Sequence, residues 1–403
     1  MHLLISRIAT VAILLILVLI QNSIAQSETS FFISSQEIEH AKQIKLNTEW
    51  LETNVSKGRT KSVTFPYVWE ADESQGLRTY YLTVSTNYAK PLGIELPDMY
   101  TSFRLFVNNK LLAQSGRVSE SEINAAPEWK PQTVALPLEK ELNLKLEISN
   151  HHHAKGGVKN PIIIGDWDFL KSKQVKAEIA TWLLITVLIV MGLGINVYFW
   201  WSDMPASALY FSFLCLVWAT RVGFSELYII PSFFGEITWT WVIHIEYLSL
   251  FLAIALGLKF MQSIYPLDTQ NTIIWVFVAV IAAFVASVSI LKPVYFTSWL
   301  NLYLSVAALS LVYMIYIVAR AVAFARYGAT YSVFAVLAGL GAFSYNLMAY
   351  QGLFDFNPFM YNISYLIIFV LLAFAMFYQR SKRADYRNAP DVLTFDDYYK
   401  VEK

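Results

Sequence analysis

The sequence predicts a multi-domain membrane protein, an all-β sandwich of jelly-roll type followed by an all-α bundle of seven transmembrane helices. Composition is the first ground: 56% of residues are hydrophobic and 15% charged, where soluble domains carry about 25% charge. The second is a block from about 177 to 380, in which seven apolar segments of roughly 20 residues are separated by short polar breaks. A hydrocarbon core about 30 Å thick needs about 20 helical residues to cross it, and lipid obliges each crossing segment to satisfy its own backbone. The third is the stretch 26–176, which is more polar and whose apolar residues recur with a period of two.

Residues 1–25 read as a secretory signal. Arg7 supplies a positive start, Ile8–Ile20 an apolar run, and Ser23-Ile24-Ala25 the small residues before a cut. An uncleaved anchor is the alternative, although that run is short for a span. Either way the next domain is exported. In 26–176, Leu142, Leu144, Leu146 and Ile148 alternate with Asn143, Lys145, Glu147 and Ser149, a strand with one wet face. Tyr80, Leu82 and Val84 alternate likewise, as do Phe103, Leu105 and Val107. Asn108-Asn109 then predicts a tight hairpin, because asparagine tolerates positive φ. Further strands are expected near 31–35, 62–69, 92–96, 133–138 and 161–164. Many short strands with turn residues between them indicate the sandwich.

The membrane segments are expected at about 179–200, 206–226, 237–259, 272–291, 294–319, 329–350 and 358–379. Tyr198, Phe199, Trp200, Trp201, Trp239 and Trp241 fall at segment ends, where amphipathic rings prefer the headgroup level. Lys171, Lys173 and Lys176 precede the first span, against the usual inward bias of positive charge. Lys259, Arg320, Arg326, Arg380, Lys382, Arg383 and Arg387 agree with that bias once the head is exported. Seven crossings then place 381–403 in the cytoplasm and the head on the other side of the membrane. That tail is too short for a kinase, cyclase or phosphatase domain. Net charge is zero, with 30 basic and 30 acidic residues, which makes no case for nucleic acid. The single cysteine, Cys215, lies in the second span and reads as a buried structural thiol.

Several stretches resemble a known family. Phe103-Arg-Leu-Phe-Val-Asn-Asn-Lys-Leu-Leu-Ala-Gln-Ser-Gly116 resembles the hairpin of an extracellular jelly-roll domain. Ile148-Ser-Asn-His-His-His-Ala-Lys-Gly-Gly157, followed by Pro161-Ile-Ile-Ile-Gly165, is similar to that domain's ending. Arg221 with His244-Ile-Glu246-Tyr247-Leu-Ser249 is similar to the second and third helices of the same proteins. These are the bacterial seven-transmembrane receptors with diverse intracellular signalling modules (7TMR-DISM). The resemblance implies a galactose-binding-like sensor domain coupled through seven helices to a signalling output. Asn109 stands where the hairpin usually has glycine, and no fused output domain is expected here.

Candidate chemistry follows from residue types. Arg221 and Glu246 are intramembrane charges whose depths differ by roughly 6 Å at 1.5 Å per residue, so a pair tying the second and third spans, as switch or as static bridge, is expected. His244 points to a different face from Glu246. One membrane histidine is too few for a zinc hydrolase, and the seventh segment offers no lysine for a retinal Schiff base. No cofactor or metal is expected; His151, His152 and His153 read as a solvated loop rather than a metal site. Sugar recognition wants an aromatic platform and hydrogen-bonding groups for hydroxyls. Tyr67, Trp69, Tyr80 and Trp129 are candidates for the first; Arg78, Glu128 and Asn150 for the second. The expected function is a non-enzymatic receptor sensing a small molecule or glycan and relaying to a separately encoded cytoplasmic signalling protein. The alternatives are a scaffold docking a periplasmic partner in an envelope assembly and, further off, a transporter or lipid enzyme.

Overall fold

The computed structural model describes residues 29–54, 58–202, 204–351, 353 and 356–387. The expected signal and most of the tail lie outside them. The head contains β1 (Ser30–Ile33), α1 (Ser35–Ala41), β2 (Gln43–Lys45), β3 (Glu49–Asn54), β4 (Arg59–Thr64), β5 (Gly76–Thr86) and β6 (Leu92–Leu96). It continues through β7 (Met99–Tyr100), β8 (Ser102–Val107), β9 (Lys110–Ser115), β10 (Gln132–Ala135), β11 (Glu141–Asn150), β12 (Gly157–Val158) and β13 (Ile163–Asp166).

Two strands organise this head. β5 and β11 run antiparallel in register from Ser85↔Glu141 to Gly76↔Asn150. Their alternating apolar residues Tyr80, Leu82, Val84, Leu142, Leu144, Leu146 and Ile148 are all buried, as a half-wet strand pair requires. The larger sheet has the order β4-β3-β5-β11-β8-β9, with β1 parallel to the far half of β5. A second sheet, β10-β6-β13-β2, packs its Leu92, Ile94, Leu96 and Ile164 into the same core. Asn108 and Asn109 take φ of 48° and 64°, the two left-handed residues of the expected hairpin.

β3 escaped the sequence pattern for a physical reason. Its inward residues are Trp50, Glu52 and Asn54, so the alternation is present but not hydrophobic. Glu52 is tolerated there because Arg78 on β5 also points inward and meets it at 3.3 Å. The stretch near 31–35 splits into β1 and α1, whose Ser34 and Glu37 form a capping box.

The remainder is helical: α2 (Trp167–Trp201), α3 (Ala206–Phe224), α4 (Ile229–Phe234), α5 (Trp239–Ile264), α6 (Asn271–Ile290), α7 (Pro293–Phe296), α8 (Leu300–Ala323), α9 (Ala329–Tyr350) and α10 (Pro358–Arg387). Among the described residues seven helical stretches are long and apolar enough to cross a membrane, α7 and α8 counting as one. They form a closed circuit, since α10 packs back on α2 as well as on α3 and α9. Cys215 is buried between α3 and its neighbours. At the end away from the head, Arg320 and Arg326 flank the buried Asp268 at 3.7 and 3.1 Å.

No linker separates the two parts. α2 begins at Trp167, inside the stretch expected to be head, and its N-cap Asp166 accepts from the Phe169 amide and the Tyr88 hydroxyl. Lys173, expected as a flanking positive charge, lies on this helix and pairs with Glu95 of β6 at 2.8 Å. The first membrane helix is therefore a rigid extension of the sandwich.

Candidate functional site at the junction of head and bundle

β11 ends at Asn150, and the loop that follows carries the histidines onto the bundle. Asn150 is fully buried: its Nδ2 lies within 2.9 Å of the Ser74, His153 and Lys155 carbonyls, and its Oδ1 accepts from the His152 and His153 amides. One side chain thus closes the loop into a compact plug. Gly156 and Gly157 let it pass against the Trp69 ring; a Cβ on Gly156 would come within 2.2 Å of that ring, and Gly157 has φ +92°.

The plug sits on the seven-helix mouth. The Ala154 amide donates to Thr297 Oγ1 at 3.1 Å, and Lys155 Nζ to the Tyr350 hydroxyl at the end of α9. His153 stacks on Tyr100 at 4.6 Å, and Trp129 packs edge-on against His153 and Trp239 and tilts over Tyr228. Burial pulls His153 down to about 3, so it is neutral at physiological pH, with Nδ1 accepting from the Lys155 amide. The expectation of a solvated loop at 151–153 is overturned: the loop is the head's contact with the bundle. Among the described residues no group of three His, Cys, Asp or Glu could hold a metal.

Charges gather beside the plug. Asp98 and Lys159 come from the head and Glu226 from the loop after α3. Burial raises the Glu226 carboxyl. Burial alone would lower the Lys159 ammonium, but Asp98, Tyr100 and Glu226 outweigh it and the net shift is upward. Glu226 and Tyr228 both have left-handed backbones, φ 59° and 47°, which non-glycine residues hold only where surroundings impose it. Glu226 also borders a cavity of about 10 Å³, room for one water, whose other lining includes Thr181, Ser225, Tyr361 and Asn362.

The expected ligand residues fall elsewhere than on one open face. Trp69, Arg78 and Tyr80 are core residues: the Trp69 indole donates to the Tyr80 hydroxyl at 2.6 Å, and the Arg78 guanidinium covers the Trp69 ring at 4.3 Å. They support the plug from within instead of presenting a platform to sugar. Alternation on β5 turned Arg78 and Tyr80 inward, and Glu52 made the inward arginine affordable. Asn150 shapes the plug, and Trp129 lies in the junction. Tyr67 is half-buried, its hydroxyl taking a hydrogen bond from Lys61; Glu128 is exposed and accepts from the Gly116 amide.

The Arg221–Glu246 expectation also changes. Arg221 Nη1 donates at 2.8 Å to the Glu246 backbone carbonyl, while the carboxylate's Oε2 is buried with no partner among the described residues. The contact ties α3 to α5 but is no carboxylate–guanidinium bridge. Asp98, Lys155, Lys159, Glu226, Tyr228 and Tyr350 were not singled out in the sequence. Glu226 alone left a signal, a carboxylate at the very end of an expected span.

Residues 177–379 match the family described as 7TM diverse intracellular signalling. The chain belongs to this family. Its seven membrane helices and the β-rich domain ahead of them make this 7TM diverse intracellular signalling protein a multi-pass membrane protein of a signalling receptor family. Among solved structures the head is similar to the GH2 β-galacturonidase from Eisenbergiella tayi bound to galacturonate, at 12% identity and TM-score 0.25, covering 31% of this chain and 24% of that one. It is also similar to the FMN-binding β-glucuronidase from Facaelibacterium prausnitzii, at 17% identity and TM-score 0.24, covering 30% of this chain and 22% of that one. The β-D-glucuronidase from Dictyoglomus thermophilum gives 9% identity and TM-score 0.25 over 30% of this chain and 27% of that one. The chain thus spans roughly a quarter of the length of each glycosidase. The comparison with curated proteins finds no match.

Proposed function

We propose that this chain is a receptor whose β-sandwich senses a ligand or partner outside the cytoplasm and whose seven helices relay the event inward. The head would lie in the periplasm of a bacterial cell and the C-terminus in the cytoplasm. The basic groups Lys259, Arg320, Arg326, Arg380 and Lys382, all toward the end of the bundle away from the head, favour that orientation. The observation that carries the reading is the double attachment of the head: rigidly through α2, and through the plug against Tyr228, Trp239, Thr297 and Tyr350. A ligand that prefers one arrangement of the sandwich core would shift the plug relative to α2, and with it the helix packing. A small molecule or glycan remains the proposed class of ligand, and a separate cytoplasmic signalling protein the proposed output.

Photocrosslinking from native membranes, with the reactive group at Arg320, tests this. Capture of a cytoplasmic signalling protein, with a yield that changes in Trp129→Ala, supports the relay. Capture of envelope-assembly proteins alone, unaffected by Trp129→Ala, would replace it with the scaffold reading.

A further inference from the structure

Two ammonium groups supplied by the head already occupy the mouth of the bundle. Lys155 Nζ bonds the Tyr350 hydroxyl and lies 4.7 Å from that ring's centroid; Lys159 Nζ lies 5.5 Å from the same ring. An aromatic face attracts a cation through its quadrupole, more strongly where water is excluded. Lys159 also lies in the field of Asp98 and Tyr100 from the head and of Glu226 from the bundle, which together outweigh the effect of its burial. Glu226 is held in this position by a left-handed backbone, and Tyr350 by the last turn of α9. One aromatic face with both ammonium groups over it, its hydroxyl bonded to one of them, and two carboxylates whose fields reach the other are the parts of an amine-recognition site.

We propose that the mouth of the bundle is an ammonium-binding site whose resident ligand is this chain's own Lys159, with Lys155 beside it. The site stands on its own geometry; only its consequence, that withdrawing the plug frees the sixth membrane helix, rests on the receptor reading. A tethered group acts at an effective concentration of millimolar or more. A free alkylammonium therefore cannot displace Lys159 in the intact protein, but it can fill the place that Lys159→Ala vacates.

The missing piece in Lys159→Ala is n-propylammonium, and the experiment supplies it at tens of millimolar to the purified full-length chain in detergent, at constant ionic strength. The unfolding midpoint of Lys159→Ala is expected to rise by about 2 °C with n-propylammonium and not with n-propanol. The wild type and Lys159→Met, whose side chains fill the space, are expected to respond to neither. If Lys159→Ala is recovered only unfolded, n-propylammonium present during extraction is expected to restore folded protein. The site is refuted by an absent response in Lys159→Ala, by an equal response to n-propanol, by an equal response of the wild type, or by failure to restore an unfolded variant. None of these readouts uses signalling, so an amine-binding chain that relays nothing would refute the receptor reading alone.

Discussion

A single buried amide and a single buried ion pair decide much of the head. Asn150 satisfies three carbonyls and two amides of the plug and its surroundings from one fully buried side chain. Asn150→Ala should destabilise the head by about 3 kcal/mol, since each abandoned buried group carries its desolvation penalty. Chemical unfolding followed by tryptophan fluorescence measures it; a loss below the size of one ordinary hydrogen bond would show that the plug does not depend on Asn150. Arg78 and Glu52 behave as a unit, 1% and 3% exposed. Arg78→Met should cost about 3–5 kcal/mol by stranding the Glu52 charge, and adding Glu52→Leu should recover most of it, as a double-mutant cycle reads out. His153 sets a pH dependence whose sign is definite. Unfolded histidine titrates near 6.5, whereas burial holds His153 at about 3. Between these values only the unfolded state takes the proton, so stability falls with pH by about 1.4 kcal/mol per unit below 6.5. Melting curves between neutral pH and about pH 5 should show a steeper loss for the wild type than for His153→Asn; equal slopes would clear His153 of the effect.

At the scale of elements, α2 matters most, because it is both the last segment of the sandwich and the first span. The helix is capped by Asp166 and braced by Lys173–Glu95, so it turns with the head. Two residues inserted after Ala177 would rotate head against bundle by roughly 200° and take the plug off its seat. A bismaleimide should join Ala154→Cys to Thr297→Cys in the native register and not in the insertion variant; the buried Cys215 does not compete. Crosslinking that survives the insertion would mean that the plug is not seated by α2. The spans and the long strands were legible because lipid and a single wet face impose one period over many residues. β3 was illegible because its inward face is polar and its meaning depends on Arg78, distant in sequence. The Arg221–Glu246 contact was half legible: depth brought the two residues together, but a helix's backbone carbonyl leaves no sequence mark, and that carbonyl is what Arg221 takes.

Over the whole molecule, head and bundle share one apolar junction: Tyr100 and Trp129 belong to the same buried cluster as Tyr228 and Trp239. Trp129→Ala should remove about 3 kcal/mol of docking. It should raise amide exchange in 151–156 and 225–228 while leaving β5 and β11 protected. Uniform loss of protection through the head would instead make Trp129 a fold residue and not a docking one. The candidate site was the least legible part of the chain. The residues singled out for sugar were chosen by chemical type, and four of them, Trp69, Arg78, Tyr80 and Asn150, proved to be internal supports of the plug.

The amino-acid order alone determined that seven apolar rods follow a strand-rich head, since solvent and lipid act on each segment separately and leave their period in it. Only the folded molecule decided that 151–153 belong to a plug rather than a wet loop, and that Thr297 and Tyr350 receive it. Those outcomes depend on groups far apart in the chain meeting out of water, where one neutralises or satisfies another, and no local pattern encodes a meeting.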